Sequence, residues 1–115
     1  SILSKDDIKE ICQKNGINIT NYYTKASKNT KAEIYWANPY IRYLQQDWFL
    51  ILDDYKKKVL HCFKIPAFSI NETKIKRRTD IPDKAELKIK YDDKTFTDLM
   101  SGLKFSKYLI KSIKY

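Results

Sequence analysis

The sequence predicts an α+β fold, an antiparallel sheet of about five strands carrying an N-terminal helix and a C-terminal helix. A half-open barrel of the same strands is the alternative. Three observations predict this class. Residues 48–65 hold two apolar runs of strand length around a charged turn, residues 5–14 carry helix start and stop signals, and residues 85–91 alternate strictly between apolar and charged.

The central hairpin organises the rest. Trp48, Phe49, Leu50, Ile51 and Leu52 are apolar on both faces, as in a central strand covered on both sides. Asp53 to Lys57 form the turn, and Val59 to Ile65 return. On that return Val59, His61, Phe63 and Ile65 share one face and Leu60, Cys62 and Lys64 the other. Pro66 stops the strand.

Ser4 has the character of a helix N-cap, with Asp7 three residues on to close a capping box and Leu3 and Ile8 as a staple. Asp6 and Asp7 suit the positive end of the helix dipole. Ile8, Ile11 and Cys12 share one face, and Lys14, Asn15 and Gly16 end the helix.

Residues 17–31 are polar and mixed, an expected loop. Lys25, Lys28 and Lys31 sit there beside Tyr22 and Tyr23, either as a solvated loop or as a flexible basic arm with a stacking platform. Ala32 to Trp36 form an expected strand with Ala32, Ile34 and Trp36 on one face and Glu33 and Tyr35 on the other. Asn38-Pro39 marks a turn, and Tyr40 to Leu44 a short helical or irregular piece.

Residues 71–84 have the composition of a long exposed loop, with Lys74, Lys76, Arg77 and Arg78 clustered in it. In the next strand Ala85, Leu87, Ile89 and Tyr91 point inward, and Glu86, Lys88 and Lys90 point out. Asp92-Asp93-Lys94 makes an expected turn, and Thr95 to Met100 an expected returning strand. Phe105, Tyr108, Leu109 and Ile113 repeat at helical spacing, with Lys104, Lys107, Lys111 and Lys114 as one basic stripe. The same tail also alternates as a strand would, and the helix is the preferred reading.

The length suits one domain, residues 1–115. The absence of Met at position 1 fits a processed chain or a module of a larger protein. No run approaches the roughly 20 apolar residues that span a bilayer, and no signal peptide is visible. Cys12 and Cys62 do not make a disulfide framework. They read as buried thiols in a reducing cytoplasm. One His and two scattered Cys do not assemble a zinc site, so no metal or cofactor is expected.

Charge carries the functional reading. The formal net charge is +9, and residues 74–115 hold twelve basic and six acidic groups, net +6. That asymmetry points to a polyanion. Lys74, Lys76, Arg77, Arg78, Lys104, Lys107 and Lys111 are the expected phosphate contacts, with Tyr22, Tyr23 and Lys28 beside them. Arg77 or Arg78 offers the planar fork suited to a base edge. The first expectation is therefore a non-catalytic nucleic-acid-binding module, for duplex DNA rather than RNA. A compact basic module with aromatic loops suits the recognition piece of a bacterial defence, restriction or DNA-processing enzyme.

Two other classes stay open. Glu86-Leu87-Lys88 has the Glu-x-Lys spacing of metal-dependent restriction-type nucleases. With Asp54 as second carboxylate and magnesium bound, Asp54, Glu86 and Lys88 would form a nuclease site. Pro82-Asp83 lies too close to Glu86 to serve as that second carboxylate. The third class is a protein-interaction domain whose basic face meets an acidic partner. The lone His61 reads as a partly buried imidazole, and two glycines are too few for a phosphate-cradling loop.

Overall fold

The computed structural model describes residues 2–29, 31–91 and 94–115. The expected turn at Asp92-Asp93 lies outside the described residues, as does Thr30. One helix, α1 (Lys5–Lys14), is followed by six strands: β1 (Tyr23–Asn29), β2 (Ile34–Ala37), β3 (Trp48–Asp54), β4 (Val59–Ile65), β5 (Leu87–Lys90) and β6 (Leu109–Lys114). Short 3-10 turns lie at Ile41–Gln45, Glu72–Lys74 and Ser106–Tyr108. The strands form one sheet in the order β5-β2-β1-β3-β4-β6. β1 and β3 pair in parallel, and every other neighbouring pair is antiparallel.

This corrects the expected five antiparallel strands with a C-terminal helix. The sheet is mixed, has six strands and is open, with β5 and β6 at its edges rather than a half-open barrel. Two segments account for the difference. Residues 23–29 are a strand, not a loop, because Ala26 and Lys28 are buried beside β3. Residues 109–114 are a strand, not a helix, because the outer edge of β4 offers them a ladder: Leu60 pairs with Ile113 and His61 with Ser112. A backbone that saturates an open edge gains hydrogen bonds and a covered core together. The expected strand at Thr95 to Met100 is reduced to isolated bridges, Asp98 to Ile89 and Thr97 to Lys104.

α1 forms as its sequence dictates. The Ser4 hydroxyl accepts from the Asp7 N–H, and the Asp7 carboxylate accepts from the Ser4 N–H, each at 3.2 Å. Asn15 is the C-cap, and Gly16 follows at φ +77°, where a side chain is disfavoured. Ile8 and Cys12 are buried against Phe49, Ile51, Leu60, Cys62 and Ile113 on one face of the sheet.

β3 is buried along its whole length. Its other face carries Trp48, Leu50 and Leu52, which pack with Tyr35, Phe63, Leu87, Ile89 and Phe105 in the larger core. Residues 94–108 cross that face, tied to β5 by the Asp98 carboxylate, which accepts the Lys88 N–H at 2.8 Å. No helix among the described residues is long and apolar enough to cross a membrane.

Candidate nucleic-acid interface

α1 covers the β3, β4 and β6 part of its face and leaves β2 and β5 open. On that open part Trp36 stands outward, 46% exposed. Its cross-strand partner is Lys88, and the next pair on that side of the strands is Ile34, itself buried, with Lys90. Leu87 and Ile89 are fully buried on the opposite face, so the alternation of β5 turns both lysines toward the Trp36 side.

Glu86 lies on the same side, its carboxylate accepting from the Lys76 ammonium at 2.9 Å. Lys76, with Lys88 behind it, holds Glu86 below the ordinary carboxylate range. The Arg78 guanidinium carbon lies 5.4 Å from the Trp36 ring centre. That guanidinium forks onto Asp80, Nε to Oδ1 at 2.9 Å and Nη2 to Oδ2 at 2.5 Å, and reaches the Asn38 side-chain oxygen at 3.4 Å. The fork lowers the Asp80 pKa and raises that of Arg78.

The backbone explains why these groups converge. Residues 75–78 run beside 84–86 as a short ribbon: the Arg78 N–H donates to Lys84 O at 2.9 Å, and the Glu86 N–H to Lys76 O at 2.7 Å. Ile75 is buried and anchors this ribbon in the larger core. The stretch expected as a free loop is therefore a fitted part of the β5 edge.

Placement of the other expected residues is mixed. Arg77 donates to Pro82 O at 3.0 Å and lies 3.7 Å from Glu72. Thus Lys76, Arg77 and Arg78 each have an acidic partner, and Lys74 stands exposed beside them. Lys104, Lys107 and Lys111 do not form the single helical stripe expected of them. Lys104 bridges Thr97, Lys107 stacks on the Tyr108 ring, and Lys111 on edge strand β6 donates to Asn15 O at 3.4 Å. β6 is the far edge of the sheet from β5.

Tyr22 is exposed and sits edge-on to Tyr43, with ring centres 5.5 Å apart. Tyr23 packs toward α1, and burial raises its phenol pKa. Lys28 is buried, its ammonium 3.4 Å from the Asp54 carboxylate and 3.9 Å from the Tyr91 ring centre.

Asp54, Glu86 and Lys88 are not brought together. Lys88 faces the open side with Trp36, and Glu86 on that side is paired with Lys76. Asp54 falls on the opposite face, two residues along β3 from Leu52 and paired with Lys28. The groups that do converge are Trp36, Lys88 and Lys90 with the Lys76–Glu86 and Arg78–Asp80 pairs. The reading of the sequence missed Trp36 because it grouped the ring with Ile34 and left that face unassigned. The signal lay in β5: outward lysines on a strand require outward residues on the strand paired with it.

No known protein family, characterised protein or solved structure matches this chain.

Proposed function

We propose that this chain binds single-stranded nucleic acid across the open β2–β5 face. The observation that carries the reading is Trp36. A large indole left 46% exposed on a sheet face, paired across the strands with Lys88 and with the Arg78 guanidinium 5.4 Å from its ring centre, is suited to stacking on a base. Base stacking on such a ring contributes about 1–3 kcal/mol per base and tolerates any base, because every base has a π-face. Lys88 and Lys90 have no ion-pair partner among the described residues and meet the phosphates. The formal charge of +9 adds steering toward a polyanion.

The same ring favours a single strand over the duplex that charge alone pointed to. Bases in a duplex are stacked on one another and do not offer a free face to a flat indole. The test is fluorescence anisotropy with labelled single-stranded DNA, RNA and duplex DNA over a salt series. Single strands bind more tightly than the duplex, with affinity falling as salt rises. Trp36→Ala weakens single-strand binding about tenfold or more. Duplex preference, or unchanged affinity in the variant, overturns the proposal.

A further inference from the structure

A second site lies on the opposite face, at the turn end of the β3–β4 hairpin. It is a cleft of about 320 Å³ whose polar lining is Asp54, Lys57, His61 and Lys94, and whose aromatic walls include Tyr35 and Phe96. Its size falls at the lower end of small-ligand sites, which begin near roughly 300 Å³.

The polar groups have fixed roles. His61 is the chain's single histidine, and its Nδ1 lies 2.8 Å from the Ser112 hydroxyl on β6. When that hydroxyl donates to Nδ1, the ring proton sits on Nε2 and is available to an acceptor. The Asp54 carboxylate is already engaged by the Lys28 ammonium at 3.4 Å and by the Lys57 N–H at 3.1 Å. Its charge is therefore offset within the fold, and Lys57 and Lys94 line the same cleft.

Phe96 shapes the wall. Its φ is +50°, a left-handed backbone that a bulky side chain rarely adopts and that persists only where the surroundings hold it. In this conformation the ring packs 5.1 Å from the His61 ring and 5.0 Å from Phe63. A held, strained aromatic beside a lone imidazole is a feature of binding sites more than of cores.

We propose that this cleft binds a nucleoside monophosphate, its phosphate against Lys57, Lys94 and the His61 N–H, and its planar base against Phe96. The site does not depend on the Trp36 face and is tested apart from it.

The single histidine gives an unambiguous probe. The His61 imidazole resonances are followed by NMR during titration with adenosine 5′-monophosphate, inorganic phosphate and adenosine. The monophosphate produces a saturable shift, inorganic phosphate binds more weakly, and adenosine produces no saturable shift. Lys57→Ala combined with Lys94→Ala, both exposed positions that leave the core intact, weakens monophosphate binding about tenfold or more. Absence of a saturable His61 shift with the monophosphate overturns the proposal. So does unchanged affinity in the double variant, or equal affinity for inorganic phosphate. Trp36→Ala leaves this titration unchanged, so failure here and failure of the strand-binding proposal are read separately.

Discussion

Replacing Lys28 by Met is expected to be among the most damaging single changes at a charged residue in this fold. The Lys28 ammonium sits 3.4 Å and 3.5 Å from the two Asp54 oxygens, with the side chains only 7% and 5% exposed. Opposite unit charges at that separation attract by roughly 5 kcal/mol at an effective dielectric constant near 20. Dehydrating both groups opposes that attraction, so the pair adds little net stability over an apolar replacement. Removing one partner is different, because it strands a buried carboxylate. The expected cost is about 3–5 kcal/mol, a large part of the roughly 5–15 kcal/mol available to a domain. Lys28→Met combined with Asp54→Asn regains most of the loss, since the amide oxygen still accepts the Lys57 N–H. Urea denaturation followed by far-ultraviolet circular dichroism measures both. With a slope of about 1–3 kcal/mol per molar, the single variant lowers the midpoint by roughly 2 M. A cost below about 1 kcal/mol for Lys28→Met, or strict additivity of the two changes, refutes the reasoning.

Three further outcomes are expected. Tyr115 donates its hydroxyl to the fully buried Asp53 carboxylate at 2.5 Å, so Tyr115→Phe costs about 1–3 kcal/mol in the same denaturation assay. Burial, then Asp53, raises the Tyr115 pKa, so its contribution is complete below the unfolded value near 10 and is lost as pH rises through the folded one; stability profiles of wild type and Tyr115→Phe converge at alkaline pH. Burial lowers the His61 pKa, so the unfolded chain takes up the proton first: stability is full above the unfolded value near 6.5 and falls below it, and His61→Gln flattens that acid limb. Lys88→Ala with Lys90→Ala weakens single-strand binding more than Arg77→Ala, whose charge already faces Glu72, and reduces the salt slope by about 1.4 for the two lost phosphate contacts.

The parts of the fold written in local patterns were legible in the sequence. α1 follows from Ser4 and Asp7, which close a box within one turn. β3 follows from an apolar run with no polar face to expose. β5 follows from Leu87 and Ile89 alternating with lysines. β1 was hidden because its inward side includes Lys28, and a lysine faces a core only if a carboxylate waits there. Asp54 is 26 residues further on, and nothing near Lys28 announces it. β6 was hidden because lysines at 104, 107, 111 and 114 fit both periods, and the unpaired edge of β4 chose between them.

The site was legible in its chemistry and not in its geometry. A basic, aromatic-rich chain was evident, but charge counting treated Arg77 and Arg78 as free. Glu72 and Asp80, within five positions of them, were visible all along and take those charges up. Trp36 gained its role only from the sheet order, which leaves β2 and β5 beyond the reach of α1.

The central claim is that Trp36 is the ring on which bases stack, and its own fluorescence tests it most directly. Trp48 is fully buried, so in a Trp48→Phe background the emission reports Trp36 alone. Titration with an unlabelled single-stranded oligonucleotide is predicted to quench that emission saturably and to shield the ring from iodide, with the quench reversed by added salt. Binding detected by anisotropy while Trp36 emission and iodide access stay unchanged would contradict the account.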